Sequence, residues 1–168
     1  AGRKLVPRTR RFFFEDHVVR PIRRVLEAPA REKGLTISKT VDYSMIPELY
    51  SDPDLMSLII YNILDNALKY SNEGTEIRVV CDRSSDGSIF VDFINLGALI
   101  KPGESERIFE EGYRGADGKM REVGLGLGLW TCRRICKLLG LEIKYVNSRS
   151  APSFVCFRIS GFNKIIAD

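Results

Sequence analysis

The segment NILDNALKYS, residues 62–71, carries four side chains whose types and spacing could bind a ligand. Asn62, Asn66, Lys69 and Tyr70 follow one another at three- or four-residue intervals, so a helix would present them on one face. Two amide oxygens, an ammonium and an aromatic ring could hold Mg²⁺, a phosphate and a base, because Mg²⁺ takes oxygen ligands and keeps several waters. The alternative is an ordinary polar helix face with a lysine at its favoured C-terminal end.

A second candidate is GLGLGLW, residues 124–130, at the start of a predicted helix. Glycines at alternate positions let backbone N–H groups approach a ligand closely, and a helix N-terminus attracts anions. A dinucleotide-binding turn would need a strand directly before it, whereas a long loop precedes this segment. The phosphate-binding pattern GxxxxGK[ST] is absent from the sequence. The segment therefore favours an anion site of another kind.

The stretch between these motifs, residues 97–123, shows no clear strand or long helix, and only SERIFEEGY (105–113) looks briefly helical. A long irregular segment inside a compact domain is usually functional, so we predict a lid. Phe109 and Tyr113 could pack it against the body of the domain. Arg114, with Lys119 and Arg121 as further candidates, could reach phosphate oxygens. The same cations could also belong to a solvated loop.

The elements that must position these motifs can be predicted from periodicity and turn residues. Asp52 followed by Pro53 marks a helix start, and that helix should stop near residues 71–72. Pro29 should bend or end an earlier helix. Helices are predicted at 18–31, 52–71 and 126–139, and strands at 35–41, 75–82, 88–95, 141–148 and 153–160. Because there is no steady βαβ alternation, we expect an α+β fold. It would be a two-layer α/β sandwich in which about three helices cover one face of a mixed sheet of about five strands.

Composition fits one soluble domain: the chain has 168 residues, of which 44% are hydrophobic and 29% charged. The net charge is +4, and much of the excess lies in residues 1–12, which we interpret as a basic tail or cloning remnant. The alternative is an electrostatic contact with a membrane or nucleic acid. No apolar run is long enough to span a bilayer. Cys132 and Cys136 are one helical turn apart on an apolar stripe, so a buried structural role is favoured over metal binding.

The order of these motifs closely resembles the ATPase domain of histidine kinases, in the superfamily that includes gyrase, the ninety-kilodalton heat-shock chaperones and mismatch-repair ATPases. NILDNALKYS matches the N box of that family, IFEEGYRG (108–115) the F box and GLGLGLW the second glycine box. AREKGLTIS (30–38) resembles the lead-in before the first strand. The resemblance covers roughly residues 13–160. It implies a Bergerat-type ATP-binding fold, with a catalytic domain over 13–168 and an ATP lid near 97–123.

The resemblance also implies roles for single residues. Asn66 would coordinate Mg²⁺ with support from Asn62, Lys69 and Arg114 would touch phosphates, and Tyr70 would pack beside adenine. Asn62 stands where hydrolases of the superfamily have a glutamate base. Because an amide cannot take a proton at neutral pH, this favours transfer to a protein over ATP hydrolysis. The backbone around the triphosphate would come from Gly124, Gly126, Leu127, Gly128 and Leu129.

The first glycine box departs from the family pattern DxGxG, since it is Asn95-Leu96-Gly97-Ala98-Leu99. Asn95 and Gly97 would still contact the nucleotide, because an Asn oxygen can accept a bond from the adenine amino group. The only histidine, His17, lacks both the acidic neighbour of a phosphoacceptor motif and room for a dimerisation hairpin before Asn62. We therefore expect His17 to be a surface residue near a helix start rather than the acceptor.

The resulting hypothesis is γ-phosphoryl transfer from Mg·ATP to a histidine on a separate dimerisation domain of the same protein, and then to a response regulator receiver domain. Nucleic acid is not an expected partner. The fragment should be monomeric, soluble and cytoplasmic, within a homodimeric kinase that could be membrane-anchored. Two alternatives stay open: a serine-directed kinase of the anti-sigma type, and a degenerate binding module of the same fold.

Overall fold

The computed structural model describes residues 4–38, 41–113, 128–146 and 154–168. Its helices are α1 (Arg20–Glu32), α2 (Pro53–Tyr70) and α3 (Gly128–Leu139). Its strands are β1 (Arg10–Phe12), β2 (Thr36–Ile37), β3 (Leu49–Ser51), β4 (Glu76–Arg83), β5 (Ile89–Asn95), β6 (Glu142–Tyr145) and β7 (Val155–Ser160). Short 3₁₀ turns occur at Arg107–Phe109 and Phe162–Ile165.

Five of these strands form the main sheet, in the order β2-β4-β5-β7-β6. The pair β2–β4 is parallel and the other pairs are antiparallel, so the sheet is mixed. The turn at 84–88 joins β4 to β5, and the N–H of Ser84 donates to the Ser88 carbonyl at 2.9 Å. The predicted α+β two-layer sandwich is confirmed.

The core lies between one face of this sheet and the helices. Alternate residues of β5, namely Ile89, Val91 and Phe93, are buried toward the helices. Leu55, Ile59, Ile63 and Ala67 recur at every fourth residue of α2, which predicts a buried stripe; the last three are buried and Leu55 is partly buried against the core. Further buried α2 residues are Met56, Ile60, Leu64 and Leu68. The long apolar side of α2 therefore fixes the polar face that carries the first motif.

Two elements near α1 differ from the sequence-based expectations. Pro29 does not end α1 at once: it lacks the N–H that would bond to the Val25 carbonyl, and the helix ends within one further turn, at Glu32. Of the strand expected over 35–41, Thr36–Ile37 forms β2 and Ser38 adds one bond to the carbonyl of Ile77 at 2.9 Å, while residues 39 and 40 lie outside the described residues. Before α1, residues Glu15–Val19 form a π-helical turn, which leads into Pro21.

A second, two-stranded sheet corrects the expectation for the N-terminal segment. β1 pairs antiparallel with β3, and Phe12 is buried. The N–H of Arg8 donates to the Asp52 carboxylate at 2.6 Å. The basic tail expected over 1–12 is therefore wrong for residues 8–12, which pack on the body. β1 is only three residues long, and two of them are arginines. So short a segment shows no alternation of apolar and polar residues from which a strand could be predicted.

The cysteines in α3 have a structural role. Cys132 and Cys136 are buried in the core, and the Cys132 thiol donates to the Ile59 carbonyl at 3.6 Å. Burial raises the pKa of the Cys136 thiol to about 12, so it stays neutral near pH 7.

Within the described residues, no group of three or more His, Cys, Asp or Glu side chains could hold a metal ion. No described helix has both the length and the apolar character needed to cross a membrane.

Candidate functional site

Helix α2 carries the first motif, and its start is fixed by Asp52. One carboxylate oxygen of this buried residue accepts the N–H groups of Asp54 and Leu55, each at 3.0 Å. The expected cap is thus confirmed, and Pro53 occupies the first turn. Along the helix, Asn62, Asn66 and Tyr70 are half-buried and Lys69 is exposed, on a face beside the buried stripe.

Asn62 meets the second motif directly. Its side-chain nitrogen donates to the Leu58 carbonyl at 2.7 Å, within α2. Its oxygen faces the first residue of α3, because a Cβ placed on Gly128 would lie only 3.3 Å from that oxygen. A larger residue at 128 would press against Asn62, so glycine permits the close approach of α3 to α2. The structure therefore brings two motifs that are far apart in sequence into contact.

Lys69 has a partner that the sequence analysis missed. Its ammonium lies 2.7 Å from the Asp65 carboxylate, one helical turn earlier, and both side chains are partly exposed. The i,i+4 spacing of Asp65 and Lys69 was a readable signal for this pair. Because exposed ion pairs contribute only about 0–1 kcal/mol, a phosphate could compete for the ammonium. Lys69 can therefore reach a ligand only by sharing or leaving Asp65.

The C-terminal end of α2 is in backbone contact with the segment after β5. A Cβ on Gly97 would lie 1.9 Å from the Tyr70 carbonyl oxygen, a separation that real side chains do not show. The N–H of Asn72 donates to the Leu96 carbonyl at 2.8 Å, and Ser71 forms a bridge with Gly97. Glycine at 97 is thus required by the approach of two backbones, which local sequence does not predict.

Asn95, the last residue of β5, is 4% exposed, and its side-chain nitrogen has no hydrogen-bond partner among the described residues. A buried donor left without a partner costs about 1–3 kcal/mol. Such a group in a native fold calls for an explanation, and a bound ligand with an acceptor atom would supply one. The amide also has an oxygen, so it can both donate to and accept from a base edge.

The described part of the predicted lid is anchored at Phe109. This ring is buried, stands edge-on to Phe157 with centroids 6.2 Å apart, and lies 4.1 Å beneath the Arg133 guanidinium of α3. Arg133 also binds Glu106 at 2.9 Å. The expected packing of Phe109 is confirmed, and Tyr113 is half-buried against the same core. Sequence reasoning missed Arg133, since no local pattern links α3 to this loop.

Several predicted site residues lie outside the described residues, namely Arg114, Lys119, Arg121, Gly124, Gly126 and Leu127. Their roles stay predictions. Of the second glycine box, the structure describes Gly128 and the half-buried Leu129, which packs on the core. The candidate site therefore consists, in its described part, of the α2 face, the end of β5 and the start of α3.

Residues 51–160 match the family described as histidine kinase-, DNA gyrase B-, and HSP90-like ATPase. The chain belongs to this family. The match runs from the end of β3 to the end of β7 and so includes each of the three motifs. The kinship with histidine kinase ATPase domains that the motifs indicated is thereby confirmed.

Among curated relatives, the adaptive-response sensory kinase SasA of Rippkaea orientalis is 36% identical over 107 residues, covering 64% of this chain and 27% of that protein. SasA of Crocosphaera subtropica is 35% identical over 107 residues, which cover 64% of this chain and 28% of that protein. SasA of Prochlorococcus marinus strain SARG is 27% identical over 132 residues, with 79% and 34% covered. The chain thus spans between about a quarter and a third of the length of these relatives.

Solved structures with the same fold include full-length ShkA in complex with AMPPNP, at a TM-score of 0.73 and 21% identity, covering 92% of this chain and 31% of that one. The mycobacterial sensor histidine kinase MprB has a TM-score of 0.72 at 21% identity, with 90% and 95% covered. The catalytic domain of histidine kinase ThkA has a TM-score of 0.71 at 21% identity, with 90% and 97% covered. At these identities the likeness shows the shared fold.

Proposed function

We propose that this domain binds Mg·ATP between α2, the end of β5 and the start of α3, and supports transfer of the γ-phosphoryl group to a protein histidine. That histidine would lie on a dimerisation domain of the same protein, and the phosphate would pass to an aspartate of a response regulator receiver domain. The observation that carries the proposal is the buried Asn95 amide, whose nitrogen has no partner among the described residues, beside the close contact of Gly97 with α2. A nucleotide base is a ligand that such an amide fits.

The metal and the phosphates fit the polar face of α2. Asn66 would offer an amide oxygen to Mg²⁺, with Asn62 in support, and the phosphates would supply further ligands. Lys69 would exchange its bond to Asp65 for a phosphate oxygen. We propose that Arg114 and the glycines at 124, 126 and 128, with Leu127 and Leu129 between them, complete the phosphate side. Bound ATP supplies the transferable phosphoryl group, and this chain contributes orientation and charge.

Asn62 supports transfer to a protein acceptor over hydrolysis. Its nitrogen already donates to Leu58, which leaves an amide oxygen facing α3. An amide oxygen orients a neighbour by accepting a hydrogen bond, but it does not act as a base toward water near neutral pH. We therefore propose that the domain retains ATP until an acceptor histidine arrives. By the same proposal it acts in the cytoplasm, is monomeric alone, and works within a homodimeric kinase without nucleic acid.

The proposal is tested by titrating the chain with a fluorescent ATP analogue, with and without Mg²⁺. We expect saturable binding that strengthens with Mg²⁺ and loses this strengthening in Asn66→Ala. Ser57→Ala, on the same helix, is the control and should bind like the wild type. An absence of saturable binding at millimolar nucleotide would favour the degenerate binding module instead.

A second experiment concerns the acceptor. His17 is exposed, and its Nδ1 lies 3.0 Å from the Phe13 carbonyl oxygen. The described residues between His17 and Asn62 contain α1, β2 and β3, and no helical hairpin. We therefore expect no label on the chain after incubation with γ-³²P-ATP. Acid-labile label that disappears in His17→Ala would make His17 the acceptor and contradict this part of the proposal.

A further inference from the structure

A concave surface lies between the last turns of α1 and the edge strand β2. This cleft has a volume of about 300 Å³. None of its lining residues belongs to the proposed nucleotide site. Its polar wall is formed by Arg23, Arg24, Glu27 and Arg31 of α1 and by Thr36 of β2. We refer to this surface as the α1–β2 cleft.

The α1–β2 cleft carries excess positive charge. Three of its wall residues are arginines and one is a glutamate. Arg24 and Arg31 are exposed and form no ion pair with any residue in the described part of the chain, whereas Arg20 on the same helix binds Glu15 and Asp16. Two turns separate Arg24 from Arg31, which places them on one face about 10 Å apart. The surrounding sequence reinforces this charge, since residues 1–33 contain ten Lys or Arg and four Asp or Glu.

The other wall of the cleft is an unpaired strand edge. β2 is the last strand of the sheet and pairs only with β4 among the described strands. The N–H of Thr36 donates to the Thr75 carbonyl just before β4 at 3.2 Å, and the N–H of Ser38 donates to the Ile77 carbonyl of β4 at 2.9 Å. Because successive residues of a strand direct their amides to opposite edges, the N–H and C=O of Ile37 point away from β4. The cleft therefore offers main-chain hydrogen bonds beside two unpaired guanidinium groups.

We propose that the α1–β2 cleft binds an extended acidic segment of a partner protein. The segment pairs its main chain with the free edge of β2, and its alternate carboxylates face Arg24 and Arg31. Same-side residues of a strand are about 7 Å apart, a spacing that two long arginine side chains can match. A polypeptide fits better than a nucleic acid or a lipid surface. Only a polypeptide supplies a complementary backbone for the unpaired strand edge.

The test uses the whole chain and a fluorescein-labelled peptide, Glu-Val-Glu-Val-Glu-Val-Glu, in fluorescence anisotropy at low salt. We expect saturable binding that weakens about tenfold in the double variant Arg24→Glu/Arg31→Glu, equivalent to roughly 1.4 kcal/mol. Lys137→Glu on α3 is the control and should bind the peptide like the wild type, because its exposed cation lies outside the cleft. The same peptide N-methylated at alternate residues keeps its charge but cannot pair, and it should bind at least tenfold more weakly.

Three outcomes would overturn the proposal. The first is no saturable binding of the acidic peptide at millimolar concentration. The second is equal binding of the N-methylated peptide. It would show that the cleft recognises the peptide's charge and does not pair with its main chain. The third is displacement of the peptide by single-stranded DNA or by phosphatidylserine vesicles at lower concentrations than by unlabelled peptide. That result would assign the basic surface to a nucleic acid or a membrane.

Discussion

The two ends of α2 are held in different ways. At the N-terminal end, one oxygen of Asp52 caps the helix and the other accepts the N–H of Arg8, so this polar side chain is fully used. At the C-terminal end, backbone contacts of Gly97 and Leu96 hold the helix. Near that end, the buried side-chain nitrogen of Asn95 has no hydrogen-bond partner among the described residues, and Lys69 is held only by an exposed pair with Asp65. We therefore propose that the N-terminal end of α2 serves stability and that the C-terminal end serves binding.

The largest effect is expected from Gly97→Ala, because the new Cβ would meet the Tyr70 carbonyl oxygen at 1.9 Å. We expect the free energy of unfolding to fall by about 3 kcal/mol, as in severe overpacking. Urea denaturation measures it. Gly87→Ala is the control, since nothing lies within 4 Å of its Cβ and only its φ of 84° resists a side chain. That variant should lose about 1 kcal/mol. Equal losses in the two variants would contradict the close contact at Gly97.

A smaller effect on stability is expected from Asp52→Ala. Loss of the helix cap typically costs about 1–2 kcal/mol, and the bond to Arg8 is lost as well. If this end of α2 serves stability alone, the affinity for Mg·ATP should change less than twofold under conditions where the variant is folded. Thermal unfolding and nucleotide titration of the same sample separate the two quantities. A large loss of affinity without a loss of stability would remove the distinction between the ends.

Much of the helix framework was predictable, because its signals are local. Asp52 and Pro53 mark the start of α2, and the apolar residues of α2 repeat with the helical period. The contact of Gly97 with Tyr70 and the packing of Arg133 on Phe109 were not predictable, since each joins segments distant in sequence. The pairing of β1 with β3 could not be predicted for the same reason. The residues of the motifs could be identified from the sequence. Their hydrogen bonds and contacts could not, because these depend on how the chain folds.

Asn95→Asp should alter base selection, by about 1 kcal/mol or roughly fivefold in the ratio of ADP to GDP affinity. A carboxylate accepts from the adenine amino group and repels the guanine oxygen, whereas the amide of Asn95 can donate to that oxygen. The wild type should therefore discriminate less against GDP than the variant does. Isothermal titration of both proteins with both nucleotides gives the ratio. If it does not change, Asn95 does not read the base.

The smallest effect concerns Lys69. Asp65→Asn removes the carboxylate that lies 2.7 Å from its ammonium. A phosphate then no longer competes with Asp65, so ATP should bind about twofold more tightly at low salt, in line with the small energy of exposed ion pairs. The gain should disappear in 0.5 M NaCl because salt screens exposed charges. Weaker binding in the variant would mean that Asp65 itself positions Lys69 for the ligand.

The central claim is that nucleotide binds at the β5 end of α2 and not at the Asp52 end. The most direct test is a ¹H–¹⁵N spectrum recorded while Mg·ADP is added to the labelled chain. We expect the Asn95 side-chain NH₂ and the Gly97 amide to shift with saturation, because both lie at the proposed base site. The amides of Arg8 and Asp54, which bind Asp52, should stay in place. Saturating shifts at Arg8 and Asp54 with none at Asn95 would contradict the account.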